Sequence, residues 1–394
     1  MRKAATGLAA FSRPSLWLDA LWLARRKFVA DRIRVGIVGA TVTVGGSGWG
    51  ANAHVPALQS LPDYELKAVC TAHAETAKAS AEKFGAPLYF DDIEAMAAHP
   101  EIDLIAVSVR VPWHHDLVMA ALRAGKAVFC EWPLGANLGE ARRMADYARE
   151  RNLRTAVGLQ GRSDPTLMYA RDLVRQGYIG EVLAANLSVI GQAVIDRGPG
   201  RIWQGVRANG ANTLTISGGH AIDALCYVLG EFREVQARLA TRIKQWRNAD
   251  TGEMMDVDSP DVVSVAGVLE SGAEVAFQVA AVPSNPSGNR MEIYGREGTL
   301  VINAGSHNIG PNHLYGAQGR EPLAEMPPPE KYNVVPEGTP AGPPRNVGQA
   351  YVRMYDAWQK GEAFDPDFDL AVRRHELIDA IERSAEQGRA IALT

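Results

Sequence analysis

Arg34-Val-Gly-Ile-Val-Gly39 is a short apolar run closed by glycine, and Ala40 to Gly50 behind it holds four glycines in a polar setting. An apolar run of that length reads as a strand buried on both faces, as in a parallel sheet. The glycines suit a tight strand-to-helix turn. They adopt positive φ at little steric cost and leave no Cβ between the backbone and an approaching phosphate. A helix is expected over residues 52–60, and the pattern then repeats. Strands are expected at 64–70, 88–90, 104–108, 127–130 and 155–159, with helices at 75–84, 114–124 and 138–149. Asp91-Asp92 places acids at a further helix start. Strands alternating with helices of about ten residues define βαβ units with right-handed crossovers, hence a doubly wound parallel sheet.

The second half has another rhythm. A helix is expected at 165–176, a strand at 182–190, and a helix at 213–229 that carries His220. Runs of β-rich residues follow at 235–243, 262–269, 274–279, 291–294 and 299–302, divided by turns such as Ser271-Gly272 and Glu297-Gly298. They predict a largely antiparallel sheet with one face free to cover something. Residues 304–345, rich in Pro and Gly, are expected as a long loop or arm. Helices at 347–360 and 369–387 close the chain. The division is therefore an extension over 1–32, disordered or an added surface helix, a Rossmann dinucleotide-binding domain over 33–157, and an α+β domain over 158–394 for substrate and oligomer contacts.

Composition bounds the function. The 394 residues are 46% hydrophobic and 22% charged, which a globular chain shares. Lys plus Arg total 41 against 45 Asp plus Glu, a net charge of −4, so there is no electrostatic footprint of general nucleic-acid binding. Cys70, Cys130 and Cys226 form no CxxC and no zinc spacing. They are expected as buried thiols in a reducing cytoplasm. No metal site is expected, and no apolar run reaches the roughly 18–20 residues of a membrane span. Residues 1–30 start basic, but residues 4–11 barely reach the apolar length of an export signal and no clear cleavage site follows.

The glycine loop is several residues longer than a strict G-x-G-x-x-G. A dinucleotide site usually has an acid after its second strand, bonded to the ribose. Here that position is Thr71, followed by Ala72 and His73. The missing acid leaves room for a 2′-phosphate, so the expected cofactor is NAD or NADP.

Four strings then coincide: Arg34-Val-Gly-Ile-Val-Gly39 with Gly48-Trp-Gly and His54-Val-Pro-Ala; Glu131-Trp132-Pro133; Gly218-Gly-His220-Ala-Ile-Asp223; and Ile293-Tyr-Gly-Arg-Glu-Gly-Thr-Leu300. Together, and in this order, they resemble the glucose–fructose oxidoreductase / inositol dehydrogenase / MocA family over residues 33–394. Val109-Arg-Val-Pro-Trp-His114, Leu159-Gln-Gly-Arg162 and Asn209-Gly-Ala-Asn look like the branch containing the fungal galactose/lactose-regulon repressor, which keeps the dinucleotide site for regulated protein binding.

The resemblance implies hydride transfer between nicotinamide and a sugar or other small hydroxylated substrate. Family members use a lysine in Glu-Lys-Pro and an acid four residues before the helix histidine. Here those positions are Trp132 and Ile216. Indole only donates and cannot shuttle a proton at neutral pH. His220 is left as the expected catalytic residue, since an imidazole titrates in the useful range. Expected cofactor contacts are Gly39, Gly48, Trp49, Thr71, Arg110, His114, Glu131 and Trp132. Expected substrate contacts are Trp132, Arg162, Asn212 and His220. A homo-oligomer through the second sheet is expected, with no nucleic-acid or membrane partner. The alternative is a non-catalytic dinucleotide-binding regulator.

Overall fold

Six parallel strands carry the first half: β1 (Ile33–Val38), β2 (Tyr64–Cys70), β3 (Leu88–Phe90), β4 (Leu104–Val107), β5 (Ala127–Glu131) and β6 (Thr155–Gly158). Their order is β3-β2-β1-β4-β5-β6, the doubly wound arrangement, with the topological switch between β1 and β4. The computed structural model describes residues 32–42, 48–193 and 195–393. The extension expected over 1–32 thus lies, but for Arg32, outside the described residues, as do Gly45 and Gly46 of the glycine loop.

The crossover helices are α1 (Val55–Ser60), α2 (Ala74–Phe84), α3 (Ile93–Ala98), α4 (His114–Arg123) and α5 (Leu138–Glu150). Asp92 caps α3, its carboxylate accepting from Glu94 N at 3.0 Å. Gly85, at φ +71°, ends α2 in the left-handed conformation that glycine adopts without strain. β1 and β4 are buried almost throughout, as strands covered on both faces must be.

The second half starts with α6 (Pro165–Arg175), β7 (Val182–Gln192), β8 (Asp196–Arg197) and α7 (Gly219–Leu229). Strands β9 (Phe232–Ala240), β10 (Gln245–Asn248), β11 (Met254–Asp256), β12 (Val262–Leu269), β13 (Glu274–Val282), β14 (Gly288–Gly295), β15 (Gly298–Ala304), β16 (Asn312–Gln318) and β17 (Ala324–Glu325) follow. Helices α8 (Pro343–Gln359) and α9 (Phe368–Gln387) and the short β18 (Ile391–Ala392) close the chain. Nine strands form one sheet, ordered β17-β16-β15-β14-β7-β13-β12-β9-β18. Its pairs are antiparallel except β7 with β13, which run parallel at its centre.

Two features differ from the sequence reading. Residues 304–345 are not all loop, because β16 pairs along its whole length with β15. Proline and glycine on both sides hide a strand whose only apolar inward residue is Leu314, while Gly316 admits the neighbouring side chains of Met326 and Leu300. A small third sheet, β11-β10-β8, was also not foreseen. Its strands are two to four residues long, below any readable period.

Helix α8 crosses the expected division at residue 157. Val347, Ala350, Tyr351, Met354 and Trp358 pack with Ile33, Val35, Leu104 and Phe129 in one core cluster. A late helix thus covers one face of the first sheet, and this is how a side chain from residue 351 reaches the cleft. Among the described residues, no helix is long and apolar enough to cross a membrane. No group of three or more His, Cys, Asp or Glu side chains there is placed to hold a metal ion. The three cysteines are free and buried.

Candidate active site

The C-terminal ends of β1, β4, β5 and β6 converge on one edge, where ligands bind in such sheets. Gly39 leaves β1 at φ +96°, and a Cβ there would lie 2.2 Å from Ser108 O. Gly50 opens a one-turn π-helix that leads into α1, and its Cβ would lie 3.1 Å from Ala40 N. These are the turn and close-packing roles of dinucleotide-loop glycines, separated here by a longer insertion. Gly48 lies between them at φ +70°.

Buried polar atoms without partners mark what the edge lacks. The hydroxyl of Ser108 and the indole N–H of Trp49 are two of them. Buried polar groups are nearly always hydrogen-bonded, so orphans on a ligand edge point to a ligand. Bare glycine backbone beside orphaned donors fits a dinucleotide phosphate, and Gly39, Gly48, Trp49 and Ser108 are the residues that would hold it. Thr71 gives no ribose carboxylate. Its hydroxyl donates to His73 O at 3.0 Å and lies 2.6 Å from the Thr76 hydroxyl.

Glu131 ends β5 on this edge. Gln160 Nε2 donates to its two oxygens at 2.9 and 3.1 Å, and His54 Nε2 lies 2.8 Å from Oε1. A Cβ on Gly158 would meet the carboxylate oxygens at 2.6 Å, so glycine there is what gives Glu131 its place. Across from it stands His220, at the start of α7, with its Nδ1 unpartnered; Gln160 Oε1 is unpartnered too. Burial pushes His220 down to about 4, against the opposing charges of Glu131 and Asp223.

Several expected contacts are engaged elsewhere. Trp132 is enclosed and its indole donates to Thr215 O at 2.8 Å. Its ring lies 4.8 Å from that of His375, and a Cβ on Gly219 would touch its nitrogen at 2.6 Å. It is therefore a wedge between β5, α7 and α9, not an exposed stacking platform. Arg162 forks onto Asp223 at 2.9–3.1 Å and reaches Asp365 at 3.0 Å. That buried ion pair replaces the expected substrate contact. Asn212 accepts from the backbone of Leu214 and Thr215 at 3.0 and 3.1 Å, so it caps the turn before α7. His114 is buried with its ring nitrogens 2.8 Å from Pro133 O and 3.2 Å from Val109 O. Arg110 donates to Pro199 O at 2.8 Å and clamps the 195–209 loop.

Of His54, Gln160 and Tyr351, the sequence offers only His54, a helix-start residue on the ligand edge that either caps its helix or lines the cleft. His54 and Gln160 lie in motifs that carry the resemblance. Tyr351 sits 220 positions from Glu131 in a plain amphipathic helix and carries no local signal.

A doubly wound nucleotide sheet joined to a large mixed sheet, with a histidine helix between them, is a dinucleotide-binding architecture. The profile described as "Oxidoreductase family, NAD-binding Rossmann fold" matches residues 33–159, and that of the "Gal80p, C-terminal domain" matches residues 165–304. The dehydrogenase aclE of Aspergillus oryzae is 31% identical over 379 residues, covering 92% of this chain and 98% of that protein. The galactose/lactose metabolism regulatory protein GAL80 of Saccharomyces cerevisiae is 29% identical over 262 residues, covering 62% of this chain and 59% of that protein. Among solved structures, a levoglucosan dehydrogenase in complex with NADH and L-sorbose superposes with a TM-score of 0.80 at 22% identity, covering 93% of this chain and 100% of that one. A super-repressor mutant of Gal80p from Saccharomyces cerevisiae gives 0.79 at 23% identity, covering 92% of this chain and 98% of that one. The chain belongs to the glucose–fructose oxidoreductase / inositol dehydrogenase / MocA family, and its first sheet is that family's NAD-binding Rossmann domain.

Proposed function

We propose that the chain is an NAD(P)-dependent oxidoreductase acting on a small, uncharged, hydroxylated substrate such as a sugar or polyol. The observation that carries this reading is the set of unfilled hydrogen-bonding positions around Glu131. Gln160 Oε1 accepts only, Glu131 accepts only when ionised, and His220 Nδ1 takes either role. A ligand meeting all three must present several donors, as adjacent hydroxyls do. The two cations expected nearby, Arg110 and Arg162, are engaged with Pro199 O and with Asp223 and Asp365. This does not favour a carboxylate or phosphate substrate. The whole-length similarity to a dehydrogenase supports the same class.

Bound nicotinamide would supply the hydride acceptor or donor. Gly39, Gly48 and Trp49 bind the dinucleotide's phosphates. His220 hydrogen-bonds the hydroxyl being oxidised and orients it. Trp132 closes the floor and excludes water. The absence of a second-strand acid at Thr71 supports acceptance of NADP as well as NAD.

One observation favours a second reading, a dinucleotide-binding regulator. The positions of the family lysine and acid hold Trp132, with its N–H already bonded, and Ile216. The purified chain is tested with NAD⁺ and NADP⁺ against a panel of sugars, polyols and aromatic alcohols. Reduction of the nicotinamide, lost in His220→Ala, is the expected result. Tight cofactor binding with no turnover of any substrate would establish the regulator instead.

A further inference from the structure

Glu131 ends β5 on the ligand edge, and three distant segments hold it there. His54 comes from the turn before α1, Gln160 from the loop after β6, and Tyr351 from α8. His54 Nδ1 lies 2.9 Å from the Tyr351 hydroxyl, while Nε2 faces Glu131. One neutral tautomer satisfies every member: Nε2–H donates to the carboxylate and Nδ1 accepts from the phenol. Tyr351 is itself fixed, because its carbonyl accepts from the Tyr64 hydroxyl at 2.8 Å and its ring stacks on Phe129. The side chains of His54 and Tyr351 are fully enclosed, whereas that of Glu131 keeps 12% exposure, which opens it to the cleft.

His54 and Gln160 point at Glu131 as donors to its carboxylate oxygens. Such a group has about four lone-pair positions, and the two donors leave at least one free. Among the described residues, no lysine bonds or pairs with it. Burial leaves His220 neutral and a weak proton acceptor.

We propose that Glu131 takes the proton of the substrate hydroxyl, and that His54 and Tyr351 are the positioning residues that hold its carboxylate aimed. This rests on the dehydrogenase reading and deepens it. The substrate O–H bond breaks and an O–H bond forms on Glu131. Bound oxidised nicotinamide would accept the electron pair of the adjacent C–H bond as hydride, the carbinol carbon becoming a carbonyl. After product release the proton passes from Glu131 to water through the cleft.

The full chain, with the dinucleotide and substrate found in the panel above, tests this. Glu131→Gln keeps the shape and removes the base. It is expected to lower kcat at least about 100-fold, in the range of general-base contributions. Its affinity for reduced dinucleotide, read by fluorescence, should stay within about threefold, less than 1 kcal/mol. Glu131→Asp should recover part of the loss, and added formate should restore some turnover to Glu131→Ala. A readout without cofactor is the ¹⁵N spectrum of the histidine rings. His54 should show the Nε2–H tautomer with a strongly downfield proton. Glu131→Gln should shift that proton, and Tyr351→Phe should shift Nδ1 alone.

Glu131→Gln turning over within about threefold of wild type would overturn the proton role. So would a Glu131→Gln whose dinucleotide affinity drops while kcat holds, which would make Glu131 the cofactor contact expected from sequence. A wild-type chain that shows the His54 signature, binds dinucleotide and oxidises nothing would remove the dehydrogenase reading, and the proton role with it. The failures are distinct, because in the first two the wild type is active.

Discussion

Trp132 stands where the resemblance leads one to expect a lysine, and its surroundings are built around the indole. The indole fills the space that Gly219 leaves, bonds Thr215 O and rests on His375. Nothing about residues 131–133 alone reveals this, since Thr215, Gly219 and His375 come from two other helical segments. The motif offered Glu131 and His220 as candidate site residues. It could not show that Arg162 and Asn212 are engaged with Asp223 and with backbone amides. Side-chain partners are set by packing between elements, which no local window reads. The enclosed histidines do carry a consequence for pH. Burial pushes His220 down to about 4 and His375 to about 3, from an ordinary value of 6.5. Between those values the unfolded chain binds protons that the folded chain refuses. Stability therefore rises with pH through this window and is lost as pH falls from 6.5 toward 4 and 3. Asp164, raised by burial to about 6 from 3.8, acts the other way, because the folded chain binds its proton first. Asp367 is raised by burial as well, but His114 and His307 are also lowered, and four depressed histidines outweigh two raised acids. Urea unfolding should show stability falling from about pH 6.5 to 4. His375→Gln should flatten that slope; an unchanged slope would contradict the buried neutral histidine.

At the scale of elements, α9 is tied to the rest by one enclosed guanidinium. Arg374 NH1 lies 2.9 Å from Cys226 Sγ on α7, its Nε 3.2 Å from Asp223, and its NH2 bonds Glu231 at the start of β9. The Nε contact satisfies distance but not hydrogen-bond direction, so the Asp223 interaction is mainly charge on charge. Asp223 is shared with Arg162, which reaches on to Asp365. The cluster thus joins α7, α9 and the loop after β6 behind the cleft. Removing one partner of a buried pair leaves uncompensated charge, at a cost of about 3–5 kcal/mol. Arg374→Leu should lower unfolding stability by that amount, with Arg374→Lys only partly restoring it because a point charge cannot fork. A loss below about 1 kcal/mol, the level of surface pairs, would show that the cluster is solvated. Elements themselves were legible wherever the period was long enough. β1, β2, β4, β5 and β6 and the helices between them follow from apolar runs and caps. β16 escaped because glycine and polar residues fill it, and β8, β10 and β11 because they are too short. α8 was legible as a helix, but its place on the first sheet was not. Its apolar stripe says that it is buried and not against what.

For the whole molecule the open question is the outer face of the nine-stranded sheet. Burial alternates along β12 and β13. Val263, Val265, Phe277 and Val279 point into the core shared with α7 and α9, while Ser264, Ala266, Ala276 and Gln278 point out. The outward side is a shallow concavity lined by small and polar side chains, among them Asn186, Ser188 and Gln236. Small outward residues on central strands let a second flat sheet approach closely, and one broad sheet can reach the roughly 1,200–2,000 Å² of a stable interface. A second copy of the chain, face to face, is the occupant that closed symmetry favours. Sedimentation should therefore give at least twice the chain mass. Ala276→Arg places a charge at the centre of the paired faces, where an unpaired buried ion is costly. Ala276 points away from the core, so the variant should keep its circular dichroism and thermal transition as a folded monomer. Wild-type chain that sediments as a monomer at micromolar concentration, or an Ala276→Arg variant of undiminished mass, would remove this face from the assembly.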